Sequence, residues 1–219
     1  MDVADYLLIA LFAFVFIVLA LLPYYLKNQN FLRSMKFFNF EKQKAPIFPP
    51  LLIIHNKKHP PTLCYSGKYK NIPMRLIPLA NGYLIITPGK KYYEGTYVVS
   101  KLGAHPKPWL EMWNQKAPVE YKEFNDAFYV FALSPDKSFY DINPEHMQAL
   151  LKINPLLTNT SFELNKNYIF TKFGFDEPPP RDISSMLADV AHRLSNLNNH
   201  SKIQGVLDQA VLVTEVFNK

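Results

Sequence analysis

From Tyr6 to Leu26 the chain reads YLLIALFAFVFIVLALLPYYL, 21 residues without a charge. A helix of that length crosses a hydrocarbon core about 30 Å thick. Pro23 stands near the end of the run, where a bend is tolerated. Tyr6 at one end and Tyr24 and Tyr25 at the other suit the two membrane interfaces. A cleaved signal peptide fits poorly, because the start MDVADY is acidic and no small-x-small site follows the run. The pattern therefore predicts an uncleaved transmembrane anchor over residues 1–27.

The next stretch, NFLRSMKFFNF, places Phe31, Met35 and Phe38 at helical spacing beside Arg33 and Lys36. It reads as an interfacial segment, with its rings at the headgroups and its cations near anionic lipid. APIFPP follows, with three prolines that favour extended chain, and reads as a linker. Residues 28–50 are thus expected to be juxtamembrane.

Beyond residue 50 the period changes. LLIIH, MRLIPLA, GYLIIT and GTYVVSKL read as strands. Asn81-Gly82 lies between the second and third of these, a strong signal for a type I′ hairpin turn. Pro88-Gly89 marks a loop before the next strand, and Pro78 marks an edge or a bulge. WLEMW, between prolines, suggests one helical turn carrying Trp109 and Trp113 on one side; these two indoles are the candidate partner-binding residues. FYVFAL, residues 128–133, is a further strand. SFEL and YIFTKF flank Asn165-Lys166-Asn167 and read as a second hairpin. EPPPR breaks the chain. A helix is expected from Asp182 through Ile183, Met186, Leu187, Val190, Leu194 and Leu197, and a last one from Ser201 to about Phe217 through Ile203, Val206, Leu207, Ala210 and Val213. Strands first and helices afterwards give an α+β domain over 51–199, with an antiparallel sheet, and a C-terminal helix over 200–219.

Charge adds an orientation. Residues 27–107 carry 14 Lys/Arg against Glu41 and Glu94, a net +12; residues 108–219 carry a net −4. The flank before the apolar run has no Lys or Arg, whereas Lys27, Arg33, Lys36, Lys42 and Lys44 follow it closely. The positive side stays cytoplasmic, so the expectation is a single-pass inner-membrane protein with its N-terminus outside and its domain in the cytoplasm. Tyr24, Tyr25, Lys27, Arg33 and Lys36 are the expected membrane-interface residues. The lone Cys64 closes no intrachain disulfide, which fits a reducing compartment.

Chemistry is harder to find. His55, His59 and Cys64 are zinc-ligand types within ten positions, but no fourth ligand or second cluster accompanies them. Only seven glycines are present and no phosphate-binding fingerprint. The stretch DINPEHMQALL gathers Asp141, Glu145 and His146, a candidate acid/base group. Each of its residues also has a local explanation. Asn143 suits an N-cap. Pro144 suits the first helical position. Glu145 complements the helix dipole. Met147, Leu150 and Leu151 form an apolar face. The cluster therefore reads as a helix start, and no catalytic, metal or cofactor residue is assigned.

SGKYKNIPMRL, EFNDAFYVFALSPDKSFYDINPEHMQALL, FELNKNYIF and ISSMLADVAHRLSNL, over about residues 65–197, resemble a group of bacterial single-span membrane-anchored domains of uncharacterised activity. The resemblance implies a bacterial membrane protein and brings no catalytic residue. The expectation is a non-enzymatic scaffold or protein–protein interaction subunit of an envelope or secretion assembly. Its partners would be membrane lipids and other membrane-complex proteins, without nucleic acid. The rivals are a membrane-tethered hydrolase using Asp141, His146 or Cys64, and an anionic-lipid or nucleic-acid binding module using the basic half.

Overall fold

The computed structural model describes residues 10–12, 14–15, 18, 25, 28–45, 63–79, 82–102, 121–132, 141–174 and 199–218. Most of the apolar run therefore lies outside them, as do Trp109, Trp113, His55, His59 and the helix expected from Asp182. Among the described residues no helix is long and apolar enough to cross a membrane.

Chain contacts divide into two units, Met1–Phe37 with Pro178–Ile203, and Phe38–Glu177 with Gln204–Lys219. In the first, residues 28–37 form helix α1. Phe31 and Met35 are buried, at 7% and 2% exposure, while Arg33, Lys36 and Phe37 are exposed. This corrects the expected interfacial face: the Phe31 ring and the Met35 side chain are buried.

The second unit holds an antiparallel sheet, so the α+β expectation holds for it. Its strands are β1 (Glu41–Lys44), β2 (Leu63–Tyr69), β3 (Ile72–Leu79), β4 (Gly82–Ser100), β5 (Phe128–Ala132) and β6 (Thr160–Gly174). β1 to β4 follow one another as a meander, each antiparallel to the last. Residues 41–44, read from sequence as juxtamembrane, thus belong to the sheet edge. β4 and β6 form the spine. β6 lines one edge of β4; β3 pairs with the first half of the other edge and β5 with the second half.

Two expected turns are not turns. GYLIIT and GTYVVSKL belong to one 19-residue strand, β4. SFEL and YIFTKF belong to one 15-residue strand, β6, so no hairpin forms at Asn165-Lys166-Asn167. The two interruptions lie opposite each other. Pro88 pairs with Tyr168 and Tyr93 with Lys166, so residues 89–92 face Asn167 alone. A further register shift falls between Glu94 and Thr96. Lys166 has a φ of 52°. Gly, Asn and Pro favour turns, but a bulge draws on the same residues, because it also needs left-handed backbone and unpaired N–H positions.

The strands on either side of the expected Asn81-Gly82 turn do pair antiparallel, with Gly82 in the strand rather than in the turn. Leu79 pairs with Gly82, which is the first residue of β4. At its φ of 142°, a Cβ there would lie 1.8 Å from the Phe173 carbonyl oxygen, so glycine is required for the approach of β6. A hairpin missed in the sequence joins β2 to β3. Lys70 and Asn71, at φ 47° and 66°, supply its two left-handed residues between the paired Tyr69 and Ile72.

Three helices follow in the described chain: α2 (Lys122–Ala127), α3 (Pro144–Ile153) and α4 (Asn199–Asn218). One sheet face carries Val98, Phe128, Val130, Phe162, Leu164 and Ile169, packed with Phe124 of α2, Leu150 of α3, and Val213 and Phe217 of α4. The alternate residues, Tyr97, Val99, Phe131 and Phe170, cluster with Cys64, Ile77, Leu84 and Ile86 on the opposite face. The apolar periodicity read for the last helix is the one that is buried: Ile203, Val206, Leu207, Ala210 and Val213 are all at most 5% exposed.

Candidate functional site

The bulged part of β4 frees backbone groups that regular pairing would have satisfied, and side chains at the end of α4 and just before α3 take them up. Asn218, at the end of α4, uses both ends of its amide. Its Oδ1 accepts from the Lys90 N–H at 3.0 Å, and its Nδ2 donates to the Pro88 carbonyl at 3.0 Å. Asp141, just before α3, accepts the Glu94 N–H on its carboxylate at 3.0 and 3.1 Å, and the Thr96 hydroxyl at 2.7 Å. A buried N–H left without an acceptor costs about 1–3 kcal/mol. The Thr87 hydroxyl meets that of Thr214 at 2.8 Å; Thr214 itself donates to the Ala210 carbonyl, so Thr87 is the donor of this pair.

The start of α3 forms as its sequence requires. The Asn143 side chain accepts from the His146 N–H at 2.8 Å, and His146 Nδ1 accepts from the Asn143 N–H at 3.3 Å. This is a reciprocal capping box with histidine in the place usually held by Glu or Gln. Pro144 occupies the first turn, where its missing N–H costs nothing, and Glu145 adds a negative charge there.

Phe217 joins the two helices to the strand. Its ring centroid lies 4.8 Å from His146, 5.7 Å from Phe162 and 6.3 Å from Tyr93, the last edge-on. Tyr93 is buried, and its hydroxyl has no hydrogen-bond partner among the described residues. Burial, reinforced by the negative charge of Asp141, pushes this phenol up to about 12. It stays protonated. Its ring covers Gly89 so closely that a Cβ there would stand 2.4 Å from Cε2.

Electrostatics at the cluster follow from burial. Desolvation raises the Asp141 carboxyl above its ordinary value, opposed by the Thr96 and Glu94 hydrogen bonds. Desolvation lowers the His146 imidazole, and nearby Lys91 adds to this; Glu145 and the Asp141 backbone oppose it. Imidazole Nδ1 can accept from Asn143 only while it carries no proton, so the neutral form is also the one that caps the helix. Acidification thus has a defined sign. Below the ordinary value of 6.5 the unfolded chain takes up a proton that folded His146 resists, so stability falls as pH drops through 6.5 toward the lowered value. Asp141 works oppositely in its own window, just above 3.8, where the folded state binds the proton more tightly. His146→Gln keeps a side-chain acceptor at the capping box and removes the titration. Urea unfolding of this variant is expected to lose most of the stability decline that the parent chain shows from neutral pH to about pH 5.5. An unchanged decline would assign it to other groups.

The opposite sheet face buries a second polar group. The Tyr97 hydroxyl is hydrogen-bonded to Ser161 and pushed up to about 12 by burial, with Glu163 nearby. Glu163 is paired in register with Tyr97 and accepts from Asn165 Nδ2 at 3.0 Å. The outer end of the β2–β3 hairpin reaches α4 through Asp208, which accepts from the Tyr69 hydroxyl at 2.9 Å and pairs with Lys70 at 2.8 Å.

The structure therefore brings Asp141 and His146 together but leaves Cys64 on the other face of the sheet, its Sγ donating to the Lys44 carbonyl at 3.6 Å. A nucleophilic trio of these three is not assembled. Among the described residues no group of three His, Cys, Asp or Glu stands close enough to hold a metal ion. Tyr25, Arg33 and Lys36 are exposed; Tyr24 and Lys27 lie outside the described residues. Thr96, Asn218 and Tyr93 were not singled out in the sequence, where nothing local marks them, because their partners are 45 to 130 positions away.

No family model matches the chain, and no curated protein does. Among solved structures, the crystal structure of the mycobacterial trehalose monomycolate transport factor A, TtfA, aligns at a TM-score of 0.44 and 8% identity, covering 75% of this chain and 90% of that one. A likeness of that size carries no argument about what this chain does.

Proposed function

We propose that the chain is a single-span, membrane-anchored subunit whose α+β domain engages other proteins of a bacterial envelope or secretion assembly. The observation that carries this reading is the uncharged run 6–26, together with the state of its described members. Leu11, Phe12, Phe14, Val15 and Val18 are helical, and each is between 39% and 66% exposed. Five large apolar side chains shown outward within eight positions need an apolar surrounding, which a bilayer supplies. The +12 balance after the run favours a cytoplasmic domain at the inner membrane, with the N-terminus outside.

A binding role rather than catalysis is supported by what the described polar groups do. Asp141 and Asn218 are occupied with backbone and side-chain groups of the bulged strand, and Asn143 and His146 with each other in capping α3. Trp109 and Trp113, in the acidic half, are the candidate anchors for the partner. The experiment is crosslinking of the full chain in its native membrane. The chain is expected to remain in the pellet after an alkaline carbonate wash and to crosslink to other membrane proteins, and the Trp109→Ala/Trp113→Ala double variant is expected to lose those crosslinks. A chain released by carbonate, or one that crosslinks to nothing, ends the proposal.

A further inference from the structure

α1 is amphipathic in an unusual sense, because its exposed face carries a phenylalanine. At about 100° per residue, Arg33, Lys36 and Phe37 fall within an arc of about 100°. Phe31, Ser34 and Met35, all at most 7% exposed, occupy the opposite side. Phe37 is 68% exposed, among the most exposed large apolar side chains described. Its ring meets His200, itself exposed at the start of α4, at 5.1 Å. Arg33 and Lys36 form no ion pair among the described residues. Residues 28–37 contain no acid.

We infer that this face docks on an anionic lipid surface, with Phe37 as the ring that enters the headgroup region and Arg33 and Lys36 as the cations that meet lipid phosphate. The inference rests on the membrane-anchored reading and changes its detail: the membrane-facing ring is Phe37, because Phe31 and Met35 are buried. Three observations select lipid as the occupant. The face is purely cationic, which complements the negative cytoplasmic leaflet. It lies about two to three helical turns past the end of the apolar run, so an anchored chain holds it at the bilayer surface. Its apolar content is a single aromatic ring flanked by cations, the composition of an interfacial helix rather than of a protein–protein core.

The test uses the full chain in nanodiscs of phosphatidylcholine, with or without phosphatidylglycerol. A bimane fluorophore is placed at position 37 by Phe37→Cys; the other cysteine, Cys64, is buried. Lipids spin-labelled near the headgroup should quench this fluorophore, more strongly in the anionic discs. Arg33→Glu and Lys36→Glu in the same background should each lower the docked-to-undocked ratio on anionic discs about fivefold. A fluorophore that is unquenched in discs containing the protein overturns the docking face and leaves the anchor standing. So does quenching that ignores both charge reversals. A chain that fails to enter discs at all overturns the anchor itself. If the fluorophore is shielded only in native membranes and not in discs holding this chain alone, the face belongs to an acidic partner protein and the inference falls.

Discussion

Replacing Phe217 with alanine is expected to lower the unfolding free energy of the full chain by about 3–5 kcal/mol, read from urea unfolding followed by far-UV circular dichroism. Phe217 is only 4% exposed, and it packs on three elements at once: His146 of α3, Phe162 of β6 and Tyr93 of β4. Truncation removes the transfer energy of the ring and leaves a cavity that three separate elements would have to close together, which limits relaxation. The ring also covers the buried Tyr93 phenol and the lowered His146, so its loss lets water reach both. The loss is a large share of a total stability of about 5–15 kcal/mol. A change below about 1 kcal/mol would show that α4 does not seat its last turn on the bulged strand in this way.

Asp141→Ala is the second large effect, expected at about 2–4 kcal/mol. The variant leaves the Glu94 N–H and the Thr96 hydroxyl without their acceptor at the point where β4 shifts register. Burial of the carboxylate works the other way, since it raises the Asp141 pKa and its removal recovers that desolvation. The hydrogen bonds decide the sign, because two donors are stranded together and strand pairing cannot satisfy them across the bulge. Asp141→Asn keeps one acceptor oxygen but turns an NH₂ toward the other donor, so its cost should fall between parent and alanine. Hydrogen exchange supplies the local readout, with the Glu94 amide losing protection in both variants. Protection that survives in Asp141→Ala would mean that the carboxylate is not what holds this bulge.

The start of α3 shows how far local chemistry reaches. Asn143, Pro144 and Glu145 were readable as cap, first turn and dipole partner, because each acts on backbone groups within four residues of itself. The inward stripe of α4 was equally readable, since one face of a helix repeats every 3.6 residues whatever covers it. Tyr97, Val98 and Val99 alternate between two buried sheet faces in the same predictable way. The bulge was not readable. Pro88-Gly89 and Asn165-Lys166-Asn167 announce only that the backbone departs from regular extension there. Whether the chain then reverses or continues depends on what lies across from it. Two interruptions that face each other let both strands run on as one bent ribbon.

The same division applies to the candidate site and to the membrane segment. Asp141 and His146 were visible as a polar pair, but a carboxylate near a helix start looks the same whether it serves chemistry or structure. Its use was decided by the Glu94 N–H and the Thr96 hydroxyl, which approach from 45 or more residues away. In α1 the helical spacing of Phe31 and Met35 was readable, Phe38 falls just beyond the helix, and tertiary packing buried the two side chains expected at the headgroups. Sequence alone determined the elements whose energetics are local: the capped helix, the periodic stripe, the alternating strands and the uncharged run 6–26. Only the tertiary structure decided strand continuity, the outward face of α1 and the work of Asp141, because each depends on a partner that lies far away along the chain and close in space.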